Sequence, residues 1–277
     1  MYNKTLPSRY RLFLGIFGAE ALLLVILRTV AFFTAFDPAI GYFSKGALST
    51  IIYIAEALML LDAFAPFLLF KKEELSPEHK PAGALVLAAS AAVAALLAVT
   101  ACYLPLRAVA LINALGMVTA PSTLMLLATV LALPAAAHFF LPVLGKPQKA
   151  TIFGYAVIPV AILLLSATYF DLHVQMNAPH KVSIHLALLS IMVFMLYEIR
   201  AAIGRGQPRA WLCASSICFL LSAAAGIPNL IAFAAGKLSD PLYLLCDLLA
   251  LAIAFYVAAK TVSNTPREIA NSKEDEQ

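Results

Sequence analysis

Leu12 to Ala35 reads LFLGIFGAEALLLVILRTVAFFTA, an apolar run with only Glu20 and Arg28 as charged groups. A helix rises about 1.5 Å per residue and the hydrocarbon layer of a bilayer is roughly 30 Å thick, so about 20 mostly apolar residues cross it. The run is long enough to span, and it exceeds the roughly 7 to 15 residues of a signal-peptide core. It is therefore predicted to remain as a first transmembrane helix.

Working outward, seven further runs qualify, at about 47–70, 83–104, 122–144, 151–170, 182–203, 210–235 and 241–261. In lipid every backbone N–H and C=O must be satisfied within the protein, which leaves helices as the solution for such segments. The predicted fold is an all-α polytopic membrane protein of eight transmembrane helices, one membrane domain over 1–262 with a polar, unstructured tail over 263–277. Composition agrees: 62% of the residues are hydrophobic and 12% charged, with a mean hydropathy of +0.91, against roughly 25% charged in a soluble domain. The connections are short and marked by Gly, Pro, Lys and Asp, as in Gly145-Lys146-Pro147 and Ser239-Asp240-Pro241. The apolar stretch from Tyr103 to Pro121 is the exception, predicted to lie in the interface as a short helix.

Lys and Arg flanking a span are retained in the cytoplasm. With the N-terminus inside, fourteen of the 19 cations fall in inner segments, while Lys45, Arg107, Lys181 and Lys237 are outer and Arg28 is inside a span. This alternation requires an even number of spans and predicts that both termini are cytosolic, in a plasma membrane of the bacterial type. The net charge of +4 thus marks loops beside a bilayer, the expected partner, and no nucleic-acid partner is expected.

Self-comparison suggests a 4+4 parallel duplication, 12–146 against 148–262. Ile16-Phe17-Gly18 opens the first span and Ile152-Phe153-Gly154 the fifth, and Leu58-Met59-Leu60-Leu61-Asp62 aligns with Phe194-Met195-Leu196-Tyr197-Glu198. The competing reading is chance alignment of Leu- and Ala-rich segments.

An ionisable side chain at mid-bilayer costs at least about 2.5 kcal/mol, so each one asks for a partner or a function. By helical rise, Arg28, Glu56 and Asp247 form an outer layer roughly 9 to 14 Å deep. Glu20 and Asp62 form an inner layer with His138 and Glu198 slightly nearer the cytoplasmic surface. Arg28 and Glu56 are expected to neutralise each other. Glu20 and Asp62 have no cation at their depth, and two adjacent carboxylates in a low dielectric cannot both stay ionised, which predicts a shared proton or a bound cation in an internal cavity. The alternative for each is a satisfied packing role. Glu198, in Tyr197-Glu198-Ile199-Arg200, reads as an interfacial anchor, and His138 as a packed histidine.

Asp171, His173, His180 and His185 cluster at the outer ends of spans five and six, but their spacing matches no standard metal site. Cys102, Cys213, Cys218 and Cys246 read as packing residues. Gly226-Ile227-Pro228-Asn229 marks a kink or a broken helix that exposes carbonyls, and the Ala-rich third span is expected at the centre of the bundle. No Walker loop, GxSxG, HExxH or paired-cysteine motif is present, and no cofactor is implied.

Three functions fit. One is a small transporter coupled to protons or ions, with Glu20, Arg28, Glu56, Asp62, His138 and Asp247 as its buried polar site and a small solute or ion as ligand. The others are a lipid-modifying enzyme using Asp62 and His138, and a non-catalytic receptor-like or assembly subunit. An enzyme needs a denser titratable cluster at one depth and a receptor needs an output domain, so transport leads and enzymatic activity is not expected.

Overall fold

The computed structural model of the chain describes residues 6–37, 41–44, 46–71, 75, 83–171 and 173–264. The predicted polar tail lies outside them from residue 265 onward. The elements are α1 (Leu6–Thr34), β1 (Phe36–Asp37), β2 (Tyr42–Phe43), α2 (Ala47–Asp62), α3 (Pro66–Leu69), α4 (Ala84–Leu115), α5 (Ala120–Val143), α6 (Pro147–Gly154), α7 (Val157–Tyr169), α8 (Pro179–Ala202), α9 (Pro208–Ala234) and α10 (Pro241–Ser263). Eight helical segments among the described residues are long and apolar enough to cross a membrane, with α2–α3 together forming span two and α6–α7 forming span five.

Proline sets most of these boundaries. Pro147, Pro179, Pro208 and Pro241 each open a helix, where a missing N–H costs nothing and the fixed φ is already helical. Inside spans the same residue breaks the ladder, because it cannot donate to the carbonyl four residues back. Span two breaks over Ala63–Ala65, ahead of Pro66, and span five over Tyr155–Ala156, ahead of Pro159. The predicted interfacial helix after Tyr103 is instead the continuation of α4, which runs unbroken for 32 residues through Pro105, about 48 Å of rise. It stops at Gly116, whose φ of 66° lies in the left-handed region.

The most enclosed spans are seven and eight, with 61% and 72% of their apolar windows buried, against 44% for span three and 28% for span two. Span three packs on α5 and α10 with Ala94, Ala101 and Ala108 buried, but the central place expected for it belongs to spans seven and eight. Helix α10 packs along α9 and α4, α9 also receives α8 and α1, and α2 is held mainly by α1. Gly226 makes the tightest contact at the centre: a Cβ there would stand 2.9 Å from the Asp247 carbonyl oxygen. Among the described residues, spans two and three share no extended interface, whereas their counterparts in the expected duplication, spans six and seven, pack along their length. The two halves are therefore not packed alike.

Tyr10 donates to the Thr261 carbonyl at 3.0 Å, tying the start of α1 to the end of α10. Both ends of the helical bundle thus lie on one face, called here the near face. At the far face, Phe32, Phe36 and Phe43 form an edge-to-face cluster around the short hairpin.

Candidate functional site

Three carboxylates are buried among the described residues, Glu56, Glu198 and Asp247. Each is held differently.

Glu56 on α2 accepts from Arg28 Nη2 on α1 at 3.2 Å, with both side chains about 7% exposed. Arg28 Nη1 donates in addition to the Ala224 carbonyl of α9 at 3.3 Å. That carbonyl is four residues before Pro228, which has no N–H to return to it. The proline bends α9 without breaking it, and the orphaned acceptor is filled by an arginine from another span, so no carbonyl is left open there for a substrate.

Glu198 on α8 lies near the near face, where three donors converge on it. Trp211 Nε1 of α9 donates at 2.8 Å, Lys260 Nζ of α10 at 2.6 Å and the Tyr256 hydroxyl at 3.3 Å. The expected interfacial anchor is thus the hub that joins the near-face ends of spans six, seven and eight. His138 stands beside this hub. Its Nδ1 lies 2.8 Å from the Ala150 carbonyl, which can only accept, so Nδ1 carries the hydrogen. Gly154 leaves room for the ring, since a Cβ there would come within 3.0 Å of it.

Asp247 on α10 is 3% exposed and accepts from Asn229 Nδ2 of α9 at 2.9 Å. The same amide reaches Ser183 Oγ of α8 at 3.4 Å, and Asn229 Oδ1, also buried, has no partner. No Lys, Arg or His among the described residues forms an ion pair with Asp247. One turn toward the far face, the His180 ring packs edge-on against Tyr243 and Phe36, and its Nδ1 is without a partner.

Glu20 and Asp62 are neighbours, with the Asp62 carboxylate within hydrogen-bonding reach of Glu20. They do not face an enclosed cavity. Asp62 is exposed and Glu20 half-buried at the outer edge of spans one and two, because span two is peripheral and breaks just after Asp62. The far-face histidines diverge: His185 Nε2 meets Thr168 Oγ1 at 3.0 Å, the His173 amide donates to Asp171, and His180 turns inward. No group of three potential metal ligands occurs among the described residues. Lys181, expected in a loop, is fully buried and donates to the carbonyls of Tyr169, Asp171 and Val174, satisfying the end of α7.

No protein-family model, curated protein or solved structure matches the chain.

The residues that sequence reasoning missed are Trp211, Tyr256 and Lys260 around Glu198, and Ser183 beside Asn229. Lys260 is one of the fourteen cations assigned from the sequence to inner segments. The available signal was that Trp211, the only tryptophan, falls at the same depth as Glu198.

Proposed function

We propose that this multi-pass membrane protein is a small transporter coupled to protons or cations, with Asp247 as its ion-binding group. One observation carries the reading. Of the three buried carboxylates, Glu56 and Glu198 have cations beside them, while Asp247 has only an amide. An ionised carboxylate without a counter-charge in a low dielectric costs several kcal/mol. Asp247 therefore needs a proton or a cation from solution, and it sits in the most enclosed spans, where binding and release require the helices to move. By the excess of Lys and Arg in its loops the near face is the cytoplasmic one, with both termini on the cytosolic side of a bacterial-type plasma membrane. The lipid-enzyme reading gains one point from the gathering of His138, Glu198, Tyr256 and Lys260 at a single depth.

The test is reconstitution into vesicles carrying internal pH- and sodium-sensitive dyes under an inside-negative potential. Pools of amino acids, sugars, nucleosides and organic acids serve as probes. At least one pool is expected to drive ion entry above empty vesicles, and Asp247→Asn to slow it at least tenfold. Entry that is unchanged in Asp247→Asn removes the site. No response to any pool removes transport, and a changed lipid composition would favour the enzyme.

A further inference from the structure

The orientation of the Asn229 amide is fixed by its neighbours. Ser183 Oγ of α8 donates its hydrogen to the His180 carbonyl at 2.9 Å, so toward α9 it offers only lone pairs. It therefore takes an N–H from Asn229, at 3.4 Å, and the other hydrogen of the same Nδ2 goes to Asp247 Oδ1 of α10 at 2.9 Å. One amide nitrogen joins three spans. The consequence falls on the other end of the amide, where Asn229 Oδ1 is buried and has no donor.

Two deficits thus meet between α9 and α10. Asp247 lacks a counter-charge, and the amide oxygen beside it lacks a hydrogen. A protonated carboxyl group and a primary amide are complementary, because the amide N–H donates to one carboxyl oxygen while the carboxyl O–H donates to the amide oxygen. The first of these two bonds is present. One proton on Asp247 Oδ2 supplies the second and removes both deficits.

We propose that Asn229 is the positioning residue for a proton on Asp247, and that the acid–amide pair is a lock holding α9 against α10 while Asp247 is protonated. The inference rests on the reading of Asp247 as the ion-binding group. The step is proton binding alone: one O–H bond forms on Asp247 as a proton leaves solution, and the same bond breaks on release. Without the proton, a carboxylate oxygen faces the amide oxygen with no hydrogen between them. That happens at the level where Gly226 presses the helices together, a Cβ there standing 2.9 Å from the Asp247 carbonyl oxygen. A metal ion between the two oxygens would hold them about 4 to 5 Å apart, against about 2.7 Å for an O–H···O bond. It neutralises Asp247 without closing the lock. Closing takes up a proton, so acid favours the closed bundle described above and rising pH opens it.

The other ionisable groups at the far-face ends of the elements packed on α10 are engaged elsewhere. On α8, Lys181 donates to three carbonyls and His185 meets Thr168. On α4, Arg107 pairs with Asp240, with Tyr103 close by. After α7, Asp171 accepts from the His173 amide, and on α10 Tyr243 donates to the Thr168 carbonyl. His180, packed against Tyr243, is the neighbour whose ordinary titration falls near neutral pH, and the experiment separates it.

The full-length protein is placed in lipid vesicles with Cys102, Cys213 and Cys218 replaced by alanine, leaving Cys246, fully buried beside Asp247 on α10, as its thiol. The rate of N-ethylmaleimide labelling reads opening. Asp247→Asn keeps the lock at any pH, since the new amide N–H can donate to Asn229 Oδ1. Dividing the parent rate by the Asp247→Asn rate at each pH cancels the ordinary reactivity of the thiol. That ratio is expected to rise at least fivefold from about pH 5 to about pH 9, and to rise equally in His180→Gln. Asn229→Leu, at equal folded yield, is expected to label at least fivefold faster than Asp247→Asn at the acid end. A ratio that stays flat overturns the lock whether or not Asp247 carries an ion in the transport assay, and it decides even where Asn229→Leu does not fold. A rise that disappears in His180→Gln, or Asn229→Leu labelled as slowly as Asp247→Asn, also overturns it. A rise as expected, with no pool driving ion entry, leaves the lock standing and removes transport.

Discussion

Arg28 serves two acceptors, the Glu56 carboxylate and the carbonyl that Pro228 leaves without a donor. The second role can be isolated by replacing both members of the ion pair. In Arg28→Met/Glu56→Met no charge remains buried, so the cost left over is chiefly the unsatisfied Ala224 carbonyl, about 1 to 3 kcal/mol. Pro228→Ala restores an N–H at the position that normally serves that carbonyl. Adding it to the double variant should therefore recover about 1 kcal/mol or more, whereas in the parent, where Arg28 already fills the acceptor, it should change stability little. The assay is reversible unfolding in mixed detergent micelles, followed by tryptophan fluorescence. Additivity of Pro228→Ala with the double variant to within about 0.5 kcal/mol would refute the reasoning, because sites that share no partner add.

Other outcomes follow from the same geometry. Arg28→Met alone should cost about 3 to 5 kcal/mol by stranding Glu56, more than the apolar double variant, as measured in the same unfolding assay. Glu198→Gln should shift the emission of Trp211, the only tryptophan, and lower stability by removing a charged acceptor from the Trp211 and Lys260 donors; an unchanged spectrum would contradict the hub. Gly226→Ala places a methyl 2.9 Å from the Asp247 carbonyl and should destabilise by about 1 to 3 kcal/mol through overpacking, read as a lowered thermal midpoint in detergent. Reporter fusions at residues 148 and 206 should report the cytoplasm, and either one reporting the outside would overturn the orientation.

The number of spans was legible because length and hydropathy suffice when the solvent is a bilayer. Counting residues from span ends brought Arg28 to the depth of Glu56, and the structure places them 3.2 Å apart. The third partner at that site was not legible, since a proline shows that a carbonyl is freed but not which side chain on another span reaches it. Glu198 was misread for a similar reason. Depth counting placed it close to the membrane surface, where a carboxylate usually meets water, and the sequence does not reveal that α9 and α10 close over it. Asp247 was flagged by its depth, and Asn229 by its place after Pro228, but their pairing depends on the close approach that Gly226 permits between two adjacent helices. Glu20 and Asp62 were correctly adjacent in depth, yet their surroundings follow from the peripheral position of span two, which no pattern within that span encodes.

The central claim is that Asp247 takes up and releases an ion inside the bundle, and infrared difference spectroscopy of the protein in a lipid film tests it most directly. Raising the pH or adding sodium should remove a carbonyl band of a protonated carboxylic acid, with matching carboxylate bands appearing, and Asp247→Asn should lack that change. A difference spectrum without such a band, or the same band undiminished in Asp247→Asn, would contradict the account.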